Sequence, residues 1–329
     1  MPAMSRRRIV GVLFLILSGL SALVFFAYRS DIRRARERVS SGSRILQTPC
    51  GPIEYATAGD GPPVLVVHGA GGGFDQGIDS SEPLWQGGFR VIAMSRFGYL
   101  RTPVPADASA AAQADAHACL LDALGIARAP LIGASAGAPS SMQFALRHPE
   151  RISALVLLVP AAYPFHIEQK QRDTAPETVS AETRFLFDTA LKSDFLFWLA
   201  PRLARKTVTR AILGTSPSVL DHASAAERAR VERLLADILP VSQRRLGLLN
   251  DASVVSSLPR YDLERIAAPT LIVGVADDLY GTYNGARYSA EHILNARLIS
   301  YPEGGHLWVG HQAEVMKQIA AFLRKAAQG

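Results

Sequence analysis

A chain of 329 residues, 48% of them hydrophobic and 19% charged, can bury one large core or two small ones, with apolar sequence to spare. The net charge of +6 is unevenly spread: residues 1–44 hold nine arginines against one aspartate and one glutamate, a net +7 that leaves −1 for the rest. The basic pI therefore belongs to the N-terminus, which excludes a nucleic-acid-binding face on the globular part.

The spare apolar sequence lies at residues 9–28, an uncharged run long enough to cross a bilayer as a helix. Arg6, Arg7 and Arg8 precede it, and Arg29, Arg33, Arg34, Arg36 and Arg38 follow it. The rival reading is a cleaved signal peptide, but its apolar region should be shorter and followed by a small-x-small site, and here Gly19-Leu20-Ser21 lies inside the run. Residues 1–28 are read as a single-pass anchor contacting membrane lipid through residues 9–28, and residues 29–44 as a basic linker or short juxtamembrane helix suited to anionic headgroups. The slight arginine excess on the C-terminal side favours a cytoplasmic catalytic domain.

Residues 45–57 read as two short strands around a turn at Cys50-Gly51-Pro52. Cys50 and Cys119 are the only cysteines. They show no metal-ligand or C-x-x-C spacing and are expected to be free thiols, with a disulfide between them as the alternative, so redox compartment stays open. Continuous apolar runs at 64–67, 89–94, 131–133, 154–159, 270–273 and 297–301 predict buried strands, and helices are expected at 106–124, 138–148 and 312–325. Such alternation makes an α/β fold with a mostly parallel, doubly wound sheet, whose ligands sit beyond the carboxyl ends of its strands. Residues 163–262 interrupt the alternation and look helical, with candidates at 182–191, 225–239 and 241–250. They are read as a cap inserted into a core made of 45–162 and 263–329, with Phe185, Phe187, Phe195, Phe197 and Trp198 on its inner face.

Chemistry concentrates where predicted strands end. Gly133-Ala134-Ser135-Ala136-Gly137 follows an apolar run and opens a helix, the pattern of a nucleophile elbow that lifts a serine clear of the backbone. A serine nucleophile needs a base, and the base an orienting acid. The run at 270–274 leads into Asp277-Asp278, and the run at 297–301 leads into Gly304-Gly305-His306. His306 is the expected base. Asp277, three residues past Gly274, is the expected acid, with Asp278 as the alternative and helix capping as the plain role for whichever is left over. His117, His148, His222 and His292 fall on presumed helices or their ends, His166 at the start of the cap and His311 at the start of the last helix. His68-Gly69-Ala70-Gly71-Gly72-Gly73 follows the 64–67 strand and lacks the Lys-Ser/Thr of a phosphate loop. It should supply one oxyanion donor, from Ala70 or alternatively Gly71, with Ala136 supplying the other. His68 is expected to be a packed structural residue.

With these motifs in place, the sequence resembles the α/β-hydrolase superfamily from about residue 45 to its end, in the serine branch with a helical cap. Arg96-Phe97-Gly98-Tyr99 resembles that superfamily's loop after the fourth strand. The resemblance implies a Ser–His–Asp hydrolase with no metal and no organic cofactor. Serine at the elbow departs from the dehalogenase and epoxide hydrolase branches. An ester or related acyl bond in a small, apolar substrate is the expected target. C–C bond hydrolysis of a diketone and a non-catalytic ligand-binding domain on a membrane stalk are the alternatives.

Overall fold

Eight strands pair in the order β1-β2-β4-β3-β5-β6-β7-β8 in the computed structural model, which describes residues 6–163 and 189–326. β1 (Arg44–Thr48) and β2 (Gly51–Ala58) form an antiparallel hairpin, and β2 runs antiparallel to β4 (Arg90–Met94). The other pairings are parallel, through β3 (Pro63–Val67), β5 (Ala129–Ala134), β6 (Ile152–Leu158), β7 (Thr270–Val275) and β8 (Ala296–Tyr301). The central strands are apolar on both faces because both faces are covered. Leu65, Val67, Leu131, Leu155, Leu157 and Ile272 point into one core, while Val64, Val66, Ile132, Val156, Leu271 and Val273 point into the other. That alternation is the two-residue period of a strand.

α1 (Arg6–Ser40) is one continuous helix. Its segment Val10–Ser40 is long and apolar enough, by length and composition, to cross a membrane, and between Val10 and Phe26 all residues but Val24 are exposed. Beyond this stretch the helix docks. Tyr28, Ile32 and Ala35, spaced three or four apart, form one stripe that packs with Phe197, Trp198, Ile238, Leu239 and Val241, and Val39, one turn on, is also buried. The expected linker is therefore a docked extension of the apolar helix. Phe197 and Trp198, read as inner-face residues of the insert, are buried against this helix.

Helices α2 (Phe74–Ser80), α3 (Glu82–Gln86), α4 (Ala110–Ala123) and α5 (Ala138–Arg147) lie between strands. Between β6 and β7, in the stretch read as a cap, lie α6 (Asp194–Leu203), α7 (Arg205–Leu213), α8 (Pro217–His222), α9 (Ala225–Asp237) and α10 (Arg245–Ser256). α11 (Thr282–His292) and α12 (Gln312–Ala326) complete the core. The expected helix at 182–191, together with Phe185, Phe187 and His166, falls mostly or wholly outside the described residues. Cys50 and Cys119 are joined in a disulfide, which corrects the expectation of free thiols. The β1–β2 turn folds back onto α4, bringing together two residues 69 apart in sequence. In the chain-entropy account, closing a loop of that length stabilises the fold by about 4 kcal/mol.

Candidate active site

The elbow forms at the end of β5. Ser135 adopts φ 49°, a left-handed conformation that β-carbon-bearing residues avoid, and the next residues turn directly toward α5. Two glycines make this turn possible. A Cβ on Gly133 would lie 2.1 Å from Ser141 Oγ, and one on Gly137 would lie 2.6 Å from the His68 carbonyl oxygen. Neither clash can be relieved without moving α5 or the strand beside it.

His306 sits in the turn after β8 with its Nε2 2.9 Å from Ser135 Oγ. Its Nδ1 lies 2.7 Å from Asp278 Oδ2. A carboxylate can only accept, so Nδ1 carries the proton, and the Nε2 lone pair is left to accept the serine proton. Asp278 is buried and also accepts from Thr282 Oγ1 and, at 2.8 Å, from the Tyr280 amide. These bonds hold its plane fixed. The Tyr280 ring stands edge-on to His306 at 4.7 Å.

The expectation that Asp277 orients the imidazole is corrected by this geometry. β7 continues to Val275, one residue past Gly274, and so carries the facing position on by one. Asp277 instead accepts the Gly305 amide at 2.7 Å and braces the turn that bears His306.

The His68–Gly73 loop passes beside the nucleophile, where a Cβ on Gly69 would lie 3.2 Å from Ser135 Cβ. Its amides have different fates. Gly71 N–H donates to Tyr99 Oη at 3.1 Å and Gly72 N–H to the Gly69 carbonyl at 3.3 Å. Among the described residues the Ala70 amide has no such partner. Ala136 lies in the first turn of the short helix Ser135–Gly137, among the amides that such a turn leaves without a helical partner. Of the two expected donors in the loop, Ala70 is thus the one left free.

Other histidines are occupied elsewhere. His68 Nδ1 lies 2.7 Å from the Gly69 carbonyl and must donate, while Nε2 accepts the Arg96 amide at 3.0 Å. Burial, reinforced by Arg96, pushes its pKa well down, so it stays neutral and structural. Burial likewise pushes His117 down to about 3. His148 meets Asp115, His292 stacks on Tyr288, His311 stacks on Tyr301, and His222 Nδ1 lies against the Ser218 carbonyl.

Two buried ion pairs that the sequence did not reveal fix the loop. Arg96 forms a fork to Asp251 at 2.6 and 2.7 Å and donates to the carbonyls of His68 and Gly69. Tyr99 Oη donates to the same Asp251 at 2.5 Å. Arg244, fully buried, pairs with Asp75 and donates to the Gly72 carbonyl. Only Arg96 and Tyr99 had any signal, as part of the Arg-Phe-Gly-Tyr segment. Asp251 and Arg244 lie about 150 residues or more from their partners, on or beside a cap helix with no local motif.

A cavity of about 570 Å³ opens beside Ser135 and His306. Ile132, Leu158, Ile212, Leu213 and Ile238 are among its apolar walls, and Asp79, Arg230, Arg233 and Asp237 add charge on the α2 and α9 side.

A family model described as alpha/beta hydrolase fold matches residues 62–309. The chain is 36% identical over 279 residues to 2-hydroxymuconate semialdehyde hydrolase of Pseudomonas putida, an alignment covering 82% of this chain and 89% of that protein. It is 28% identical over 272 residues to the Bacillus subtilis protein named "Uncharacterized hydrolase YcgS", covering 80% of this chain and 91% of the other. Among solved structures, an alpha/beta hydrolase fold protein from Nakamurella multipartita superposes with a TM-score of 0.68 at 28% identity, covering 87% of this chain and all of that one.

Proposed function

Because the chain belongs to the α/β-hydrolase fold family, we propose that it is a membrane-anchored serine hydrolase that cleaves an ester or related acyl bond. The observation that carries this reading is the relay from Ser135 through His306 to Asp278, with distances of 2.9 and 2.7 Å. Ser135 Oγ attacks the acyl carbon as its proton passes to His306 Nε2, and Asp278 stabilises the imidazolium. The amides of Ala70 and Ala136 hold the oxyanion. His306 then gives the proton to the departing oxygen, and water, activated by the same imidazole, releases the acid and restores Ser135. The apolar walls beside Ser135 suit an apolar acyl or alkyl group.

A second reading, C–C bond hydrolysis on the same residues, is favoured by the relative named 2-hydroxymuconate semialdehyde hydrolase. A nitrophenyl ester chain-length series and a vinylogous diketone, assayed side by side on the full chain, separate the two. Ester turnover at least 100-fold faster in kcat/KM supports the acyl reading, and the reverse ratio replaces it with the second.

The spanning role of α1 belongs to the same proposal, and so does the side on which the domain stands. Disulfides persist in oxidising compartments, and Cys50–Cys119 closes within the globular part. The arginines after the apolar run are used in the fold: Arg34 pairs with Asp31, Arg36 with Asp194, and Arg38 with Asp75 and Asp237. They weigh less as free cytoplasmic charge than their number suggests, so the domain is assigned to the oxidising side, opposite Arg6, Arg7 and Arg8. The full chain is expected to stay in the membrane pellet after a carbonate wash. In intact cells its cysteines should resist a thiol-reactive polymer until a reductant is added. Recovery of a mature chain starting near Ala22 would establish a signal peptide instead, and cysteines that take the polymer only after the cells are lysed would return the domain to the cytoplasm.

A further inference from the structure

The segment outside the family match contributes to the catalytic site. Arg38 lies in α1, before residue 62 where that match begins. It reaches into the globular part at four points. Nε donates to Asp75 Oδ2 at 3.1 Å, Nη1 lies 3.2 Å from Asp237 Oδ1, and Nη2 donates to the carbonyls of Asp237 and Leu239. Asp75 is shared, since Arg244 Nη2 donates to the same Oδ2 at 2.6 Å. Arg244 Nη1 then reaches the carbonyl of Gly72 in the His68–Gly73 loop.

The two acids that hold Arg38 are not equivalent. Burial raises the Asp75 carboxyl, but Arg244 and Arg38 outweigh it and hold it below the usual carboxylate range. Burial pushes Asp237 up to about 6, against the pull of Arg38. As pH falls through about 6, Asp237 is the first to lose its charge, and Asp75, the one connected to the loop, remains the charge partner of Arg38.

The loop has no slack in which to absorb a displaced Asp75. A Cβ on Gly73 would lie 2.7 Å from Arg244 Nη1 and 2.9 Å from Asp75 Oδ1. A Cβ on Gly72 would lie 2.7 Å from His68 Nδ1. Backbone, guanidinium and carboxylate are packed against one another, and the Ala70 amide lies two residues from Gly72.

We propose that Arg38 is a positioning residue for the oxyanion loop: through Asp75 and Arg244, the docked half of the N-terminal helix sets where the Ala70 amide points. The catalytic meaning of this assignment rests on the hydrolase reading above, whereas the mechanical link from Arg38 to the loop does not. Removing the guanidinium leaves Asp75 with Arg244 alone and removes the tie between α1 and the start of α2. An oxyanion donor acts on charge that develops in the transition state, so the loss falls on kcat more than on KM. A displacement well below 1 Å is enough for a measurable effect.

The test uses the full chain with Arg38→Ala, Arg38→Lys and, as a control, Arg33→Ala, which breaks an exposed pair with Glu37 on the same helix. Arg38→Ala is expected to lower kcat about 10- to 100-fold with KM changed less than about threefold. Arg38→Lys, lacking the planar fork, should recover only part of this. Arg33→Ala should match the parent. Amide hydrogen exchange supplies a readout independent of turnover: peptides covering 69–73 should exchange at least tenfold faster in Arg38→Ala, while those covering 63–67 stay unchanged. Unchanged exchange at 69–73 in Arg38→Ala overturns the proposal, as does an equal kcat loss in Arg33→Ala and Arg38→Ala. A parent chain that takes no fluorophosphonate label at Ser135 counts against the hydrolase reading, and the exchange measurement still decides the link.

Discussion

Replacing Ser135 with alanine is expected to lower kcat by about four to six decades while leaving the fold intact. The size follows from what the side chain does. In the proposed mechanism Ser135 Oγ is the nucleophile and His306 Nε2, 2.9 Å away, accepts its proton, so both roles are lost with the hydroxyl. The fold should survive because the backbone strain belongs to the turn, at φ 49°, and the hydroxyl contributes no packing volume. Alanine pays a comparable cost at that dihedral. A fluorophosphonate probe should label the parent and not the variant, with thermal midpoints within a few degrees of each other. Undiminished labelling of the variant would move the nucleophile elsewhere.

Asp278→Asn is expected to cost up to about four decades in rate, and Asp277→Asn far less. An asparagine at 278 presents an amide where a carboxylate now accepts from His306 Nδ1, Thr282 Oγ1 and the Tyr280 amide. If its nitrogen faces Nδ1, the imidazole must carry its proton on Nε2, the atom that has to accept from Ser135. If its oxygen does, the imidazolium loses its counter-charge. Asp277 makes one backbone bond, to Gly305, and an asparagine oxygen can still accept it. Measuring kcat for the two variants side by side decides the matter. A larger loss at 277 would refute the assignment of Asp278.

The sequence carried the parts of the site that are written in neighbouring residues. Ser135 between Gly133 and Gly137, and His306 after a strand, are short-range patterns, and their separation along the chain did not matter because parallel strands bring their carboxyl ends to one edge. The orienting acid was off by one residue because its side depends on where β7 stops pairing, and that is decided by β8 alongside it, through Val275 against Tyr301. The disulfide was illegible for a related reason. Nothing in the spacing of Cys50 and Cys119 says that the hairpin turn packs on α4. The aromatics of the cap were placed on the right element, but their partner was not legible. Phe197 and Trp198 cover α1, whose amphipathic half was hidden among the arginines that suggested a linker. The buried pairs Arg96–Asp251 and Arg244–Asp75 join the loop to a distant segment, and single charged residues in a helical sequence read as surface until the structure shows them buried.

If α1 spans a bilayer as proposed, its unbroken run from the apolar stretch into the globular part makes it a mast and not a leash. Arg38 stands ten residues past Tyr28, about 15 Å along the axis. With α1 spanning a bilayer, this length sets the height of the catalytic cavity above the lipid surface, and the docked stripe sets its heading. The domain then keeps lateral diffusion and spin about the helix axis but loses free tumbling. Its search for substrate becomes largely two-dimensional, which favours molecules that partition into or travel along the membrane over equally reactive ones in bulk water.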